Sequence, residues 1–125
     1  MSIIAKEVSD IVVHLHVHSD YSPMTGVSPI PTLLDAVRAQ RGTAVALTDT
    51  NGLYGAIRFV EEARGAGLRP ILGAELVTDH HRAVLLAKTP EGYANLCRVL
   101  SARHCESSFD FIRTVANHRT GLILL

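Results

Sequence analysis

The sequence predicts an α/β chain organised around a parallel sheet, and three observations predict it. Short aliphatic or β-branched runs alternate with longer segments of helical spacing, as in successive βα units. The 125 residues are 47% apolar, enough for one buried core and too few for two domains. The run Leu122-Ile123-Leu124-Leu125 carries no polar residue, the pattern of a strand buried on both faces.

Taken in order, Ile11 to His16 reads as the first strand. Ile30, Leu33, Leu34 and Val37 keep helical spacing, with Pro31 tolerated in the first turn and Gly42 as a stop. Ala44 to Thr48 is the second strand. A second helix follows from Leu53 through Ala56, Ile57 and Val60, closed by Gly65 and Gly67. Pro70 to Val77 and Arg82 to Ala87 are the next strands. Thr89-Pro90 supplies an N-cap and a first helical position for a third helix carrying Tyr93, Leu96, Cys97 and Leu100. Ser108 caps a fourth, with Phe109, Ile112, Val115 and Ala116 on its apolar side, before the last strand at Leu122 to Leu125. Residues 1–125 form one unit, without internal repeat, linker or low-complexity stretch.

Composition narrows the function. Lys plus Arg and Asp plus Glu balance at 12 each, so the chain lacks the basic excess that long-range attraction to nucleic-acid backbones requires. Cys97 and Cys105 stand eight apart outside any CxxC pattern, which fits reduced thiols in a cytoplasmic protein better than a disulfide framework. Met1 to Asp10 carries Lys6, Glu7 and Asp10 and holds no signal-peptide core, and no apolar run reaches membrane-spanning length. No membrane partner is expected.

The candidate chemistry begins at His14, His16 and His18, spaced by two, which in an extended segment share one face. Such a face can grip a divalent cation, but taken alone it is more often a polar strand face with satisfied imidazoles. Asp49 follows the apolar run Ala44 to Leu47, and Glu75 sits inside Ile71 to Val77, each near the carboxyl end of its strand. Alone, Asp49 also suits a turn before Asn51-Gly52, and Glu75 a buried pair with an arginine. Together, imidazoles and carboxylates converging at strand ends suit zinc, manganese or iron. His80 and His81 read as an exposed turn, His118 as a helix-end residue, and Arg98 and Arg103 as a solvated helix face. Ser19 and Ser22 lack the base and orienting group of an activated nucleophile.

These residues carry a family resemblance. Val13-His14-Leu15-His16-Val17-His18-Ser19-Asp20-Tyr21-Ser22 resembles the first motif of the PHP domain, in the form attached to the alpha subunit of bacterial DNA polymerase III, a C-family polymerase. Ala46-Leu47-Thr48-Asp49 with Asn51-Gly52-Leu53-Tyr54-Gly55-Ala56 resembles the second motif, and Gly67-Leu68-Arg69-Pro70-Ile71-Leu72-Gly73-Ala74-Glu75 the third. Leu86-Ala87-Lys88 and Gly92-Tyr93-Ala94-Asn95-Leu96 are similar to the polymerase branch rather than to histidinol phosphatases.

The resemblance implies the first half of a distorted (β/α)7 PHP barrel, the amino-terminal part of a longer polymerase chain. DNA is then reached through the rest of that chain, and other replisome subunits become candidate partners. It implies metal ligands at His16, His18, Glu75 and His104, joined by Asp49, with His14 in a supporting role where relatives often carry an aspartate. Thr25 and Thr50 stand where the family pattern has an aspartate and a histidine. Hydroxyls are weaker ligands than carboxylate or imidazole, so divalent metal, zinc or manganese, is expected to bind weakly or not at all. A degenerate phosphoesterase or exonuclease site on a polymerase is the leading expectation. A free-standing metal-dependent phosphoesterase and a non-catalytic interaction module are the alternatives.

Overall fold

The computed structural model describes residues 12–125. Eight elements follow one another: α1 (Ile30–Ala39), β1 (Ala44–Thr50), α2 (Ala56–Gly65), β2 (Arg69–Val77), β3 (Arg82–Ala87), α3 (Pro90–Cys105), α4 (Phe111–Asn117) and β4 (Leu122–Leu124). The strands form one sheet in the order β1-β2-β3-β4. Its β1–β2 pair is parallel, while β2–β3 and β3–β4 are antiparallel.

The wholly parallel sheet expected from the alternation is thus corrected to a mixed one. The reason lies between β2 and β3: residues 78–81 are too few for a crossover, which needs about a dozen residues, so the chain must turn back on itself. Thr78 closes that turn, its N–H donating to the His81 carbonyl at 2.9 Å and its Oγ1 accepting from the His81 N–H at 3.1 Å. Between β1 and β2 the chain has α2 as its crossover, and that pair is parallel as expected.

The first expected strand also changes. Ile11 lies outside the described residues. The following segment meets β1 only in an isolated parallel bridge, His14 with Val45. The His14 carbonyl accepts from Ala46 N–H at 2.9 Å, and the Val17 carbonyl accepts from Thr48 N–H at 2.8 Å. Three residues therefore advance along the segment for two along β1. This bulge-like step breaks the two-residue alternation on which a shared face for His14, His16 and His18 depended.

Helix boundaries follow their caps. Thr89 caps α3 as its sequence suggests, with Oγ1 accepting from Gly92 N–H at 3.0 Å. For α4 the cap is Asp110 rather than Ser108, its carboxylate accepting from Arg113 N–H at 2.9 Å, and Phe109 stays outside the helix. Leu53 precedes α2, which starts at Ala56.

The register separates the sheet into two faces. Val45 and Leu47 meet Leu34 and Val37 of α1 and Phe59 and Ala63 of α2, while Ala74, Leu76 and Leu85 meet Leu96 and Val99 of α3 and Phe111 and Val115 of α4. Burying each large aliphatic or aromatic side chain of this kind stabilises by about 1.5–3 kcal/mol. The opposite face holds the smaller cluster Ala46, Ile71, Val84 and Leu86, to which no helix contributes. At β4 the expected burial on both faces is not found: Ile123 and Leu124 are 45% and 49% exposed.

Candidate metal centre

Pairing of β1 with β2 sets Thr50 opposite Glu75 and Asp49 opposite Ala74. Successive side chains alternate, so Thr50 and Glu75 share the helix-free face while Asp49 turns toward the helices. Antiparallel pairing then places Val84 beside Glu75 and Arg82 beside Val77, which brings Arg82 to the same face and the same end of the sheet. Beyond β1, His16 and His18 arrive from the irregular segment, their rings edge to face at 5.0 Å.

Glu75 is the centre of what results. His18 Nε2 lies 2.8 Å from Oε2, His16 Nε2 lies 3.5 Å from Oε1, and Arg82 Nε lies 3.3 Å from Oε1. Thr50 Oγ1 approaches Oε2 at 3.3 Å, and Thr25 Oγ1 stands 3.4 Å from Thr50 Oγ1. One ligand atom from each of His16, His18 and Glu75 falls within 4.8 Å of the others.

Two atoms in this group are buried without a hydrogen-bond partner, His18 Nε2 and Glu75 Oε1. The 2.8 Å approach of His18 Nε2 to Oε2 is close but not aligned as a hydrogen bond, so proximity alone does not satisfy the nitrogen. An unsatisfied buried polar atom costs about 1–3 kcal/mol. A cation among the three side chains would engage both atoms, and the nitrogen, nitrogen, oxygen donor set suits zinc, manganese or iron. The residues fit a divalent metal.

Asp49 is not among them. Its carboxylate accepts from Ser19 N–H at 2.7 Å, from Ser19 Oγ at 2.8 Å and from Ser22 Oγ at 2.7 Å, and all three residues are almost fully buried. Ser22 Oγ in turn accepts from Thr50 N–H at 2.9 Å. Asp49 thus anchors the loop that carries Thr25, and strand alternation turns it away from the face that carries Glu75. Gly26 closes the same loop: a Cβ there would come within 1.9 Å of the Ser19 carbonyl oxygen, so only glycine fits.

His14 turns away as well, its Nε2 lying 3.1 Å from Gln40 Oε1 beside α1. His104 reaches the rim from α3 but is engaged by the Asn51 carbonyl at 2.5 Å. Asn51 itself locks the ends of β1 and β2 together from a left-handed conformation (φ 50°), its amide exchanging hydrogen bonds with the Val77 backbone at 2.8 and 3.2 Å. Arg103, expected on a solvated face, donates from Nε to the Val77 carbonyl at 2.9 Å. His81 stacks on Phe111 with ring centroids 5.1 Å apart rather than standing free.

Sequence reasoning missed Arg82, Ser19 and Ser22. The arginine was foreshadowed only as the unnamed partner that a buried Glu75 requires. Recognising Thr78 to His81 as a hairpin would have found it, since that turn returns the chain beside Glu75.

Fold and site define a class: a mixed α/β chain with a candidate two-histidine, one-carboxylate cation site at the ends of its first two strands. More narrowly, the chain belongs to the PHP domain family, whose model matches residues 14–125. An error-prone DNA polymerase of Symbiobacterium thermophilum is 45% identical over 93 residues, covering 74% of this chain and 9% of that protein. A DNA polymerase III subunit alpha of Vibrio cholerae is 32% identical over 125 residues, covering 90% of this chain and 11% of its own length. The chain therefore spans about a tenth of the length of the curated relatives it matches. Among solved structures, an amidohydrolase from Chromobacterium violaceum with bound sulfate and no metal superposes with a TM-score of 0.54 at 25% identity, over 74% of this chain and 36% of the amidohydrolase.

Proposed function

We propose that this chain is the PHP region of a bacterial C-family DNA polymerase, carrying a reduced form of a metal-dependent phosphoesterase or exonuclease site. The supporting observation is local. Thr50, standing where the family pattern has a histidine, lies 3.3 Å from the Glu75 carboxylate, and Thr25, standing where it has an aspartate, lies 3.4 Å from the Thr50 hydroxyl. The same polymerase identity of the relatives favours this reading over a free-standing phosphoesterase.

On this reading the chain is the first half of a distorted (β/α)7 barrel, and its parent synthesises DNA in the cytoplasm, touching nucleic acid through other regions. His16, His18 and Glu75 hold the cation, zinc or manganese, with His104 and Asn51 bordering the rim. When bound, the metal supplies Lewis acidity and lowers the pKa of a coordinated water. The chain's own residues position that chemistry: Asp49 holds the loop under the site, and Asn51 fixes the two strand ends. Thr25 and Thr50 offer only neutral hydroxyls. Loss of a ligand or its orienting partner commonly costs about 10- to 100-fold in metal affinity, so two such positions predict weak binding.

The test is calorimetric titration with zinc and with manganese of the natural sequence and of Thr25→Asp, Thr50→His, at the full length the gene encodes. Weak or undetectable binding is expected in the first and about 10-fold or greater recovery in the second. Tight stoichiometric binding by the natural sequence would make the threonines irrelevant and sink the reading of a reduced site.

A further inference from the structure

We infer that Arg82 is a built-in cation that competes with a divalent metal ion for Glu75 and so sets the affinity of the site. The inference rests on the reading of His16, His18 and Glu75 as metal ligands. The side chain of Glu75 is 3% exposed and that of Arg82 is 70% exposed, so one partner is fixed in the sheet and the other reaches in from solvent. Arg82 Nε and His16 Nε2 both address Oε1, at 3.3 and 3.5 Å. That same oxygen has no hydrogen-bond partner. The guanidinium is therefore held by charge rather than by an aligned hydrogen bond, and its tip is free to leave.

Charge makes the two cations exclusive. Arginine cannot shed its proton in a protein, and a divalent ion sharing the same carboxylate would repel it at short range. Arg82 must swing outward when the metal enters, and the lost ion pair is subtracted from metal affinity. Exposure caps the loss at about 1 kcal/mol, the upper end for such pairs, or about five-fold in dissociation constant. Arg103 cannot take over this role, because its guanidinium is committed to the Val77 carbonyl.

Competition titrations against a fluorescent chelator, with zinc and with manganese, test this on the protein at the length its gene encodes. The variants are Arg82→Gln, Arg82→Lys and the double variant His16→Ala, His18→Ala, each checked for folding by thermal melting in excess chelator. Arg82→Gln should bind about five-fold more tightly than the natural sequence, Arg82→Lys within about two-fold of it, and added salt should narrow the gap. Equal or weaker binding by Arg82→Gln, with binding abolished in the double histidine variant, overturns the competition while leaving the metal site standing. Binding that survives loss of both histidines removes the metal-site reading and this inference with it, whereas binding undetectable in the natural sequence and in Arg82→Gln alike shows that removing the guanidinium does not recover the site and overturns the competition alone.

Discussion

Two buried carboxylates, Asp49 and Glu75, show how neighbouring positions take opposite roles. Asp49 is saturated by hydroxyl and amide donors at 2.7–2.8 Å, whereas Glu75 keeps one oxygen without a hydrogen bond and faces two imidazoles and a guanidinium. Their isosteric amides should separate structure from binding. Asp49→Asn turns an acceptor into a donor facing the serine hydroxyls, so chemical denaturation of the metal-free protein should show a loss of about 1–3 kcal/mol. Glu75→Gln should leave that stability within about 1 kcal/mol, because the pairs it breaks are loosely oriented or partly exposed, and should abolish metal binding. If Asp49→Asn unfolded normally but lost metal, Asp49 would be a ligand after all. The convergence of His16, His18 and Glu75 was legible from residue type and strand-end position. The separation of Asp49 from them was not, because it depends on which residue of β2 faces which residue of β1.

At the scale of elements, caps and turns decide more than apolar periodicity does. Thr89 orients the start of α3, and Gly92 one turn later lies against the backbone of Gly121, where a Cβ would come within 1.8 Å of the carbonyl oxygen. Backbone atoms on both sides leave no flexible side chain to yield. Gly92→Ala should therefore cost more than Thr89→Ala, the latter about 1 kcal/mol in thermal or denaturant unfolding. Equal losses for the two would show that the β4 connection gives way easily. Every strand and helix core except the first strand was readable from the sequence, since each keeps a run or a period in its own residues. The parallel sense of β1–β2 was readable from its helical crossover, whereas the antiparallel sense of β2–β3 turned on the four-residue loop 78–81 and was not foreseen. The bulge between His14 and Val17 lies in hydrogen bonds to β1 that no local pattern encodes.

The molecule as a whole leaves apolar surface around one edge of its sheet. β4 pairs with β3 on one side, its backbone ladder continued by reciprocal hydrogen bonds between Val84 and Leu125 at 2.9 and 3.0 Å, and no described strand pairs with its other side. Next to it, Phe111, Ile112, Val115, Leu122 and Leu124 line a groove of about 610 Å³. Ile112 is 62% exposed and Leu125 59% exposed, so apolar surface lies both in the groove and along the free edge. Unpaired edges with such surface template further strand pairing. The 125-residue chain by itself should accordingly self-associate across the micromolar range in sedimentation velocity. Ile112→Lys combined with Leu124→Lys should restore a monomer without reducing helical circular dichroism, because Ile112 is 62% exposed and Leu124, 49% exposed, lies on a strand rather than a helix. A well-dispersed monomer of the unaltered chain at those concentrations would show that neither edge nor groove drives association.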